Sequence, residues 1–423
     1  MTGAAEKSPA AGRPATPDDV VVLPAGVNAH SHAFHRVLRG RTHLGRGSFW
    51  SWREQMYRSS AALTPELYER LATAVYAEMV VTGWSAVGEF HYVHHQPVGT
   101  AYPAHEMEHA LARAAQTAGI RLTLLDTCYL KGGIGQELNA EQTRFADDGA
   151  DAWLERLESL RADFTSTYDP AFVNVGAAIH SVRAVDPGSL AKIARGLDPV
   201  LPLHVHLSEQ PAENEACQSA YGLTPTELLS EHSLLSDRLS AVHATHLTDR
   251  DIELLGAARA NIVMCPTTEA DLADGIGPAF ELAQAGAVIS LGTDQHAVVD
   301  PLLEMRALEH GERLRSGERG RFTPDELVEA LSTGGTRSLS GAPSGAPSNA
   351  PSGVEPVRPN DFIHLRPDSI RTSGAAAEQL PLAATAADVE SVTVNGNVVA
   401  RNGIHELLGD PARLLTAVLK ELE

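Results

Sequence analysis

A (β/α)₈ barrel with a small β-sandwich-like appendage is the fold this sequence predicts. Three observations lead there. Eight short apolar runs rich in β-branched residues recur along the first part of the chain. Amphipathic helical stretches separate them, and the eight repeats take roughly 300 residues, the size and rhythm of a closed parallel barrel. Beyond a small-residue linker, a short tail changes to hairpin-like alternation.

The runs are VVLPAGVNAHSH (21–32), SAVGEFHYV (85–93), RLTLLDTCYL (121–130), VNVGAAIHSV (173–182), LPLHVHL (201–207), LSAVHATHL (239–247), NIVMC (261–265) and AVISLGTD (287–294). Most are apolar with little alternation, as strands buried on both faces are. Helical patterns lie between them, for example at 64–83, 105–119, 151–164 and 248–260. Thr248 with Asp251 suits a capped start, and Gly83 and Gly119 suit helix ends. The first β-to-α turn has no Gly-rich dinucleotide fingerprint, which counts against a doubly wound sheet.

Residues 1–20 are polar and Pro/Ala-rich and are expected to be a flexible N-terminus. The barrel is expected over 21–339. SGAPSGAPSNAPSG, at 340–353, reads as a flexible linker. Residues 354–423 then form a small β appendage and a C-terminal helix. In the appendage, Asn395-Gly396 between alternating runs is a strong hairpin signal.

Composition narrows the function classes. Hydrophobic residues make up 43% of the 423 and charged residues 21%, so global disorder and coiled coil are excluded. With 33 Lys+Arg against 54 Asp+Glu the net charge is −21, which disfavours nucleic acid and anionic membranes as partners. No apolar run reaches the roughly 20 residues of a membrane span, and the N-terminus lacks the apolar core of a signal peptide. Cys128, Cys217 and Cys265 are far apart and odd in number, which suggests no disulfide framework and a reducing, cytoplasmic setting.

A barrel gathers its chemistry at the C-terminal ends of its strands. Those ends hold His30-Ser31-His32, then Glu89, His91 and Tyr92, then His180 and Arg183. Further along come His204, His206, Ser208 and Glu209, then His243 and His246, and finally Asp294, Gln295 and His296. A single His-x-His is weak evidence, since 19 histidines give about one such pair by chance. The conjunction is stronger, because imidazoles and a carboxylate recur at the ends of runs one, five, six and eight. Side chains two apart on a strand point the same way, so His30 and His32 can face one cation. A third imidazole from run five and Asp294 would leave a position open, the pattern of a catalytic metal site. No cysteine is expected near these positions. Imidazole with carboxylate suits Zn²⁺, with Fe²⁺ or Mn²⁺ as alternatives.

In this order the residues resemble the amidohydrolase superfamily of metal-dependent barrel hydrolases, from about Val21 to about Glu406. His206 followed by Glu209 is similar to its deaminase branch. More narrowly, PAGVNAHSHAFHRVLRG (24–40), SFWSWREQMY (48–57), EFHYVHH (89–95) and AAIHSVRAV (177–185) resemble the formimidoylglutamate deiminases. The resemblance implies hydrolysis of N-formimino-L-glutamate to N-formyl-L-glutamate and ammonia, in histidine degradation. It implies one zinc on His30, His32, His206 and Asp294. His243 would sit beside the metal-bound water, Asp294 would accept that water's proton, and Glu209 would shuttle protons. Arg53, Tyr92, His180 and Arg183 would contact the substrate, as would His35, where such enzymes carry Gln. The preference for His206 over His204, and for His243 over His246, follows from the resemblance and not from local spacing. His204 is then a histidine deeper in the barrel, and His246 an outer-layer or helix-cap residue.

A substrate with two carboxylates needs local cations in a chain of this charge, and Arg183 and Arg53 are the natural clamps. Arg53 is expected in the long loop after run one, with Phe49, Trp50 and Trp52 shaping that loop over the pocket. Homodimers are common among enzymes of this kind. These enzymes usually begin with several strands before His-x-His, so the appendage here is expected mainly from C-terminal strands. The competing readings are a guanine or other ring-amidine deaminase, and a metal-free binding relative.

Overall fold

The computed structural model describes residues 21–42, 49–340 and 360–422, with the side chains of 49–51 excepted. The N-terminal segment 1–20 and nearly all of the expected linker lie outside the described residues.

The first run is two strands in two different sheets. β1 (Val21–Pro24) belongs to the appendage and β2 (Gly26–Ser31) opens the barrel. Pro24 has no N–H to offer a ladder, so the pairing changes partner there. Seven more strands follow: β3 (Trp84–His91), β4 (Arg121–Cys128), β5 (Val173–Ile179), β6 (Leu203–Leu207), β7 (Leu239–His243), β8 (Asn261–Met264) and β9 (Val288–Leu291). Each pairs in parallel with the next, from β2 to β9. No β9–β2 ladder completes the ring. Closure runs through a single bridge between Ser31 and Asp294, with Asp294 N–H donating to His30 O (3.0 Å) and His32 N–H to Asp294 O (3.0 Å).

Four helices bear on the site or its support: α1 (Phe49–Ala62), α2 (Pro65–Thr82), α3 (Glu106–Ala118) and α4 (Ala150–Thr167). The segment expected to be a loop over the pocket is α1. SWREQMYRSSAA contains no Gly or Pro and is mostly good helix formers, and Glu54 pairs with Arg58 one turn on (3.3 Å). Thr64 caps α2, while Gly83 (φ +117°) and Gly119 (φ +66°) end α2 and α3 in the left-handed region. Thr248 and Asp251 form a full capping box at the helix 249–257.

β1 joins four C-terminal strands in the appendage, β10 (Phe362–Leu365), β11 (Val389–Val394), β12 (Asn397–Arg401) and β13 (Ile404–His405), in the antiparallel order β1-β10-β11-β12-β13. Asn395 (φ +53°) and Gly396 (φ +75°) make the two-residue turn between β11 and β12. This sheet is tied to the barrel by His405 Nε2, which donates to Ala118 O (2.9 Å), and by the Arg121–Asp361 ion pair. The closing helix, Pro411–Leu419, packs on α2. The three cysteines are free and buried.

Candidate metal centre and active site

β2 ends in the His-x-His pair, and its geometry is set from behind. Ser31 points away from the barrel axis and donates to buried Glu89 (2.8 Å), which also accepts from Ala33 N (2.6 Å). His30 and His32 therefore face inward together, as residues two apart on a strand do. His206 Nε2 lies 3.2 Å from His30 Nε2 and 3.3 Å from His32 Nε2. Asp294 Oδ1 is 3.4 Å from each of His30 Nε2 and His32 Nε2.

Hydrogen-bond chemistry says what this cluster accepts. Nδ1 of His32 lies 2.9 Å from Phe90 O and Nδ1 of His206 lies 2.8 Å from His180 O. A carbonyl only accepts, so both Nδ1 atoms carry the proton and both Nε2 atoms present lone pairs. Burial, with neighbouring imidazoles adding to it, holds His30 and His206 well below the usual histidine range and lowers His32 to about 3. Neutral imidazole lone pairs and a carboxylate oxygen converging on one point are a donor set for a cation. Donors at 2.0–2.1 Å from one ion stand about 3.3 Å apart in a tetrahedral arrangement, which matches the separations of His206 and of Asp294 from His30 and His32. His30, His32, His206 and Asp294 thus fit a divalent ion, zinc included. No cysteine joins a metal-competent group among the described residues; Cys265 lies below the cluster, packed with Ala29, Val242 and Val263.

His243 closes the far side, its Nε2 3.9 Å from both Asp294 Oδ2 and Glu209 Oε1. Its Nδ1 faces Glu269 Oε1 at 3.4 Å. Burial opposes charge on His243, but Glu269, Glu209 and Asp294 outweigh it and raise the imidazole to about 10. His243 (φ +69°), Ser208 (φ +50°) and Asp294 (φ +42°) all hold left-handed backbone, so strain concentrates at this rim.

The cluster opens into a cavity of about 510 Å³. All five residues expected at the substrate line it. Tyr92 OH lies 3.0 Å from His35 Nε2, and burial keeps His35 neutral. The His180 ring packs 5.1 Å from that of His206 and 4.6 Å from that of Tyr129. Arg53 enters from α1, not from a loop, with its Nε donating to Tyr57 OH (2.8 Å). Arg183 NH2 donates to Glu209 Oε2 (3.3 Å). Trp52, also on α1, donates from Nε1 to Gln295 Oε1 (2.8 Å).

The two histidines set aside face elsewhere. His204 Nε2 donates to Ser338 O (2.9 Å) at the barrel floor, and His246 Nε2 to Asp274 O (2.7 Å). Sequence reasoning missed Glu269 and Glu213 and noted Gln295 only as the strand-end neighbour of Asp294. Glu213 follows Glu209 by four residues, a spacing that was available as a signal. Glu269 left none. A further acid–imidazole group, His91, His94 and Glu108, is buried behind the site. There the Arg156 guanidinium already supplies the positive charge, 2.5 Å from Asp126 Oδ1 and 3.2 Å from His94 Nδ1.

A barrel with such a cluster at its strand ends has the architecture of a metal-dependent hydrolase. The amidohydrolase family model matches residues 21–346, and the chain belongs to that family. Formimidoylglutamate deiminase of Pseudomonas aeruginosa is 36% identical over 417 residues, covering 95% of this chain and 89% of that protein. The 8-oxoguanine deaminase of the same species is 30% identical over 386 residues, covering 89% and 81%. Among solved structures, an amidohydrolase from Brucella melitensis superposes with a TM-score of 0.84 at 33% identity, covering 96% of this chain and 92% of its own. An adenosine deaminase from Xanthomonas campestris with bound zinc shares the fold, with a TM-score of 0.77 at 22% identity over 96% of this chain and 85% of its own. No helix among the described residues is long and apolar enough to cross a membrane.

Proposed function

We propose that this protein hydrolyses N-formimino-L-glutamate to N-formyl-L-glutamate and ammonia, with zinc held by His30, His32, His206 and Asp294. The observation that carries the reading is the pair of guanidiniums, Arg53 and Arg183, on the cavity that the His/Asp cluster opens into. Guanidinium matches carboxylate bidentately, and two of them answer the two carboxylates of a glutamate skeleton. The similarity to the Pseudomonas deiminase supports the same substrate.

The ion supplies Lewis acidity and brings the pKa of water down to about 7. Asp294 accepts the proton of the attacking water. His243, braced by Glu269, orients the attacking oxygen and stabilises negative charge as the formimino carbon becomes tetrahedral. Glu209 carries a proton to the departing nitrogen, which leaves as ammonia. Tyr92, His35 and His180 line the path between that carbon and the clamps and orient the chain of the substrate.

A ring-amidine deaminase is the second reading. The aromatic side chains of Trp52, Tyr57, Tyr92 and Tyr129 on the cavity favour it, as does the similarity to 8-oxoguanine deaminase. Ammonia release from N-formimino-L-glutamate and from guanine, by wild type and Arg183→Ala, decides between them. The expected result is turnover of the diacid, with kcat/KM reduced at least about 100-fold in the variant, as for loss of one charged partner. Ammonia from guanine alone, spared by Arg183→Ala, would overturn the proposal.

A further inference from the structure

Arg183 is faced by two carboxylates. Its NH2 donates to Glu209 Oε2 at 3.3 Å, and its Nε stands 3.8 Å from Glu213 Oε2. Glu213 lies in the first turn of the helix Pro211–Tyr221 and its side chain is 0% exposed. Neither of its oxygens, nor Arg183 Nε, completes a well-formed hydrogen bond, and the Glu209 backbone N–H is the one donor that bears on the carboxylate. A buried carboxylate so weakly partnered is costly to keep charged. The groups facing it are Arg183 from the loop after β5, Glu209 from the loop after β6 and His243 from the end of β7, with Cys217 one turn along its own helix.

The charge balance sets the consequence. Arg183, Glu209 and Glu213 together carry one net negative charge when both carboxylates are ionised, and the protonated His243 beside Glu209 balances it. A third carboxylate, from the substrate on Arg183, leaves one negative charge uncompensated beside the buried Glu213. We infer that Glu213 takes up a proton from solvent as the substrate carboxylate docks on Arg183, leaving Glu209 free for its work at the reacting nitrogen. Glu213 is thereby a positioning residue acting through Arg183, and it makes binding of an anionic substrate depend on pH. Burial, with Glu209 adding to it and Arg183 opposing, pushes the Glu213 carboxyl up to about 7, where such uptake is available near neutrality. The inference rests on the reading of Arg183 as the carboxylate clamp.

The test is the pH dependence of KM for N-formimino-L-glutamate between pH 6 and 9, in wild type and Glu213→Gln, each metal-loaded. In wild type KM rises above about pH 7 with a slope approaching tenfold per unit, the signature of one proton bound with the ligand. In Glu213→Gln the rise disappears, so that KM at pH 8.5 lies at least about fivefold below the wild-type value. A purely structural role would not change that slope. As a check that needs no variant, binding of N-formyl-L-glutamate to wild type at pH 7.5 is followed calorimetrically in buffers of different ionisation enthalpy. Net uptake of a sizeable fraction of a proton supports the inference, and no uptake overturns it. Retention of the wild-type slope in Glu213→Gln overturns the role of Glu213 alone. Failure of wild type to release ammonia from N-formimino-L-glutamate removes the proposed substrate, and this inference with it.

Discussion

The indole of Trp52 donates its Nε1–H to the amide oxygen of Gln295 across 2.8 Å, and Gln295 donates in turn to Asp271 (2.8 Å). Gln295 directly follows Asp294, so α1 is fastened to the barrel beside the cluster carboxylate. α1 carries Arg53, Met56 and Tyr57 onto the cavity from the same anchor. Removing the bond by Trp52→Phe forfeits about 1 kcal/mol of neutral hydrogen bonding. The expected result is a KM for N-formimino-L-glutamate raised about fivefold, with metal content unchanged. An equal loss of bound metal would show that Trp52 supports the cluster and not the clamp.

Glu209→Gln separates proton transfer from binding. The amide cannot carry a proton to the leaving nitrogen, so kcat should fall by about 10² to 10⁴. Metal content, read by elemental analysis, should hold, because Glu209 is not among the four converging donors. Undiminished turnover would remove Glu209 from the proposed mechanism.

Removal of metal should be felt in the fold as well as in turnover. His206 Nε2 and Asp294 Oδ1 each lie within 3.4 Å of both His30 Nε2 and His32 Nε2, and the barrel closes through the backbone of Asp294. A ligand that binds only the folded state stabilises it by mass action. Dialysis against a chelator should abolish ammonia release and lower the melting temperature by several degrees, both restored by Zn²⁺. An unchanged melting curve in verified metal-free protein would contradict this.

Gly292 stands where no side chain fits. A Cβ there would lie 2.9 Å from both the Cβ and the O of His30 and 3.1 Å from Cys265 Sγ. Overpacking of this kind costs about 1–3 kcal/mol. Gly292→Ala should lower thermal stability and weaken metal binding together, since His30 is the group displaced. Metal affinity equal to wild type would show that the strain is absorbed at Cys265 instead.

Acid stability should carry a contribution from the appendage. Asp388 accepts two hydrogen bonds from Arg371, both at 2.8 Å, and one from Thr385 N (2.9 Å). Burial opposes its charge, but these partners win and lower the carboxyl from 3.8 to about 2. A folded-state value below the unfolded one stabilises above the unfolded value and is lost as pH falls through the folded one. Screening at the half-exposed Arg371 limits the contribution to about 1 kcal/mol. The difference in urea midpoint between wild type and Asp388→Asn should therefore be largest at pH 6 and shrink toward pH 3.

Period and composition made the eight barrel strands and the Asn395-Gly396 hairpin legible in the sequence. Buried parallel strands are apolar throughout, and a two-residue turn with positive φ has a narrow residue choice. Two local readings failed for identifiable reasons. The apolar run 21–32 hides a change of sheet at Pro24, because both halves are equally β-prone. The aromatics of 49–62 suggest a loop over the pocket, whereas its lack of Gly and Pro makes it helical. At the site, strand-end position pointed to His30, His32 and Asp294. Local spacing could not separate His206 from His204, since both lie on β6 two residues apart; the family resemblance did. Glu269 was invisible because it acts through a contact made only in three dimensions, as was the bond that ties Gln295 to Trp52.

β1 and β10 are neighbours in space although more than 300 residues separate them along the chain. Strand pairing and the Arg121–Asp361 pair thus hold the two flanking pieces together whether or not the chain is intact between them. Proteolytic nicking within 341–359 should leave two fragments that co-elute, whereas deleting Val21–Pro24 would strip a partner from β10 and bare a sticky sheet margin.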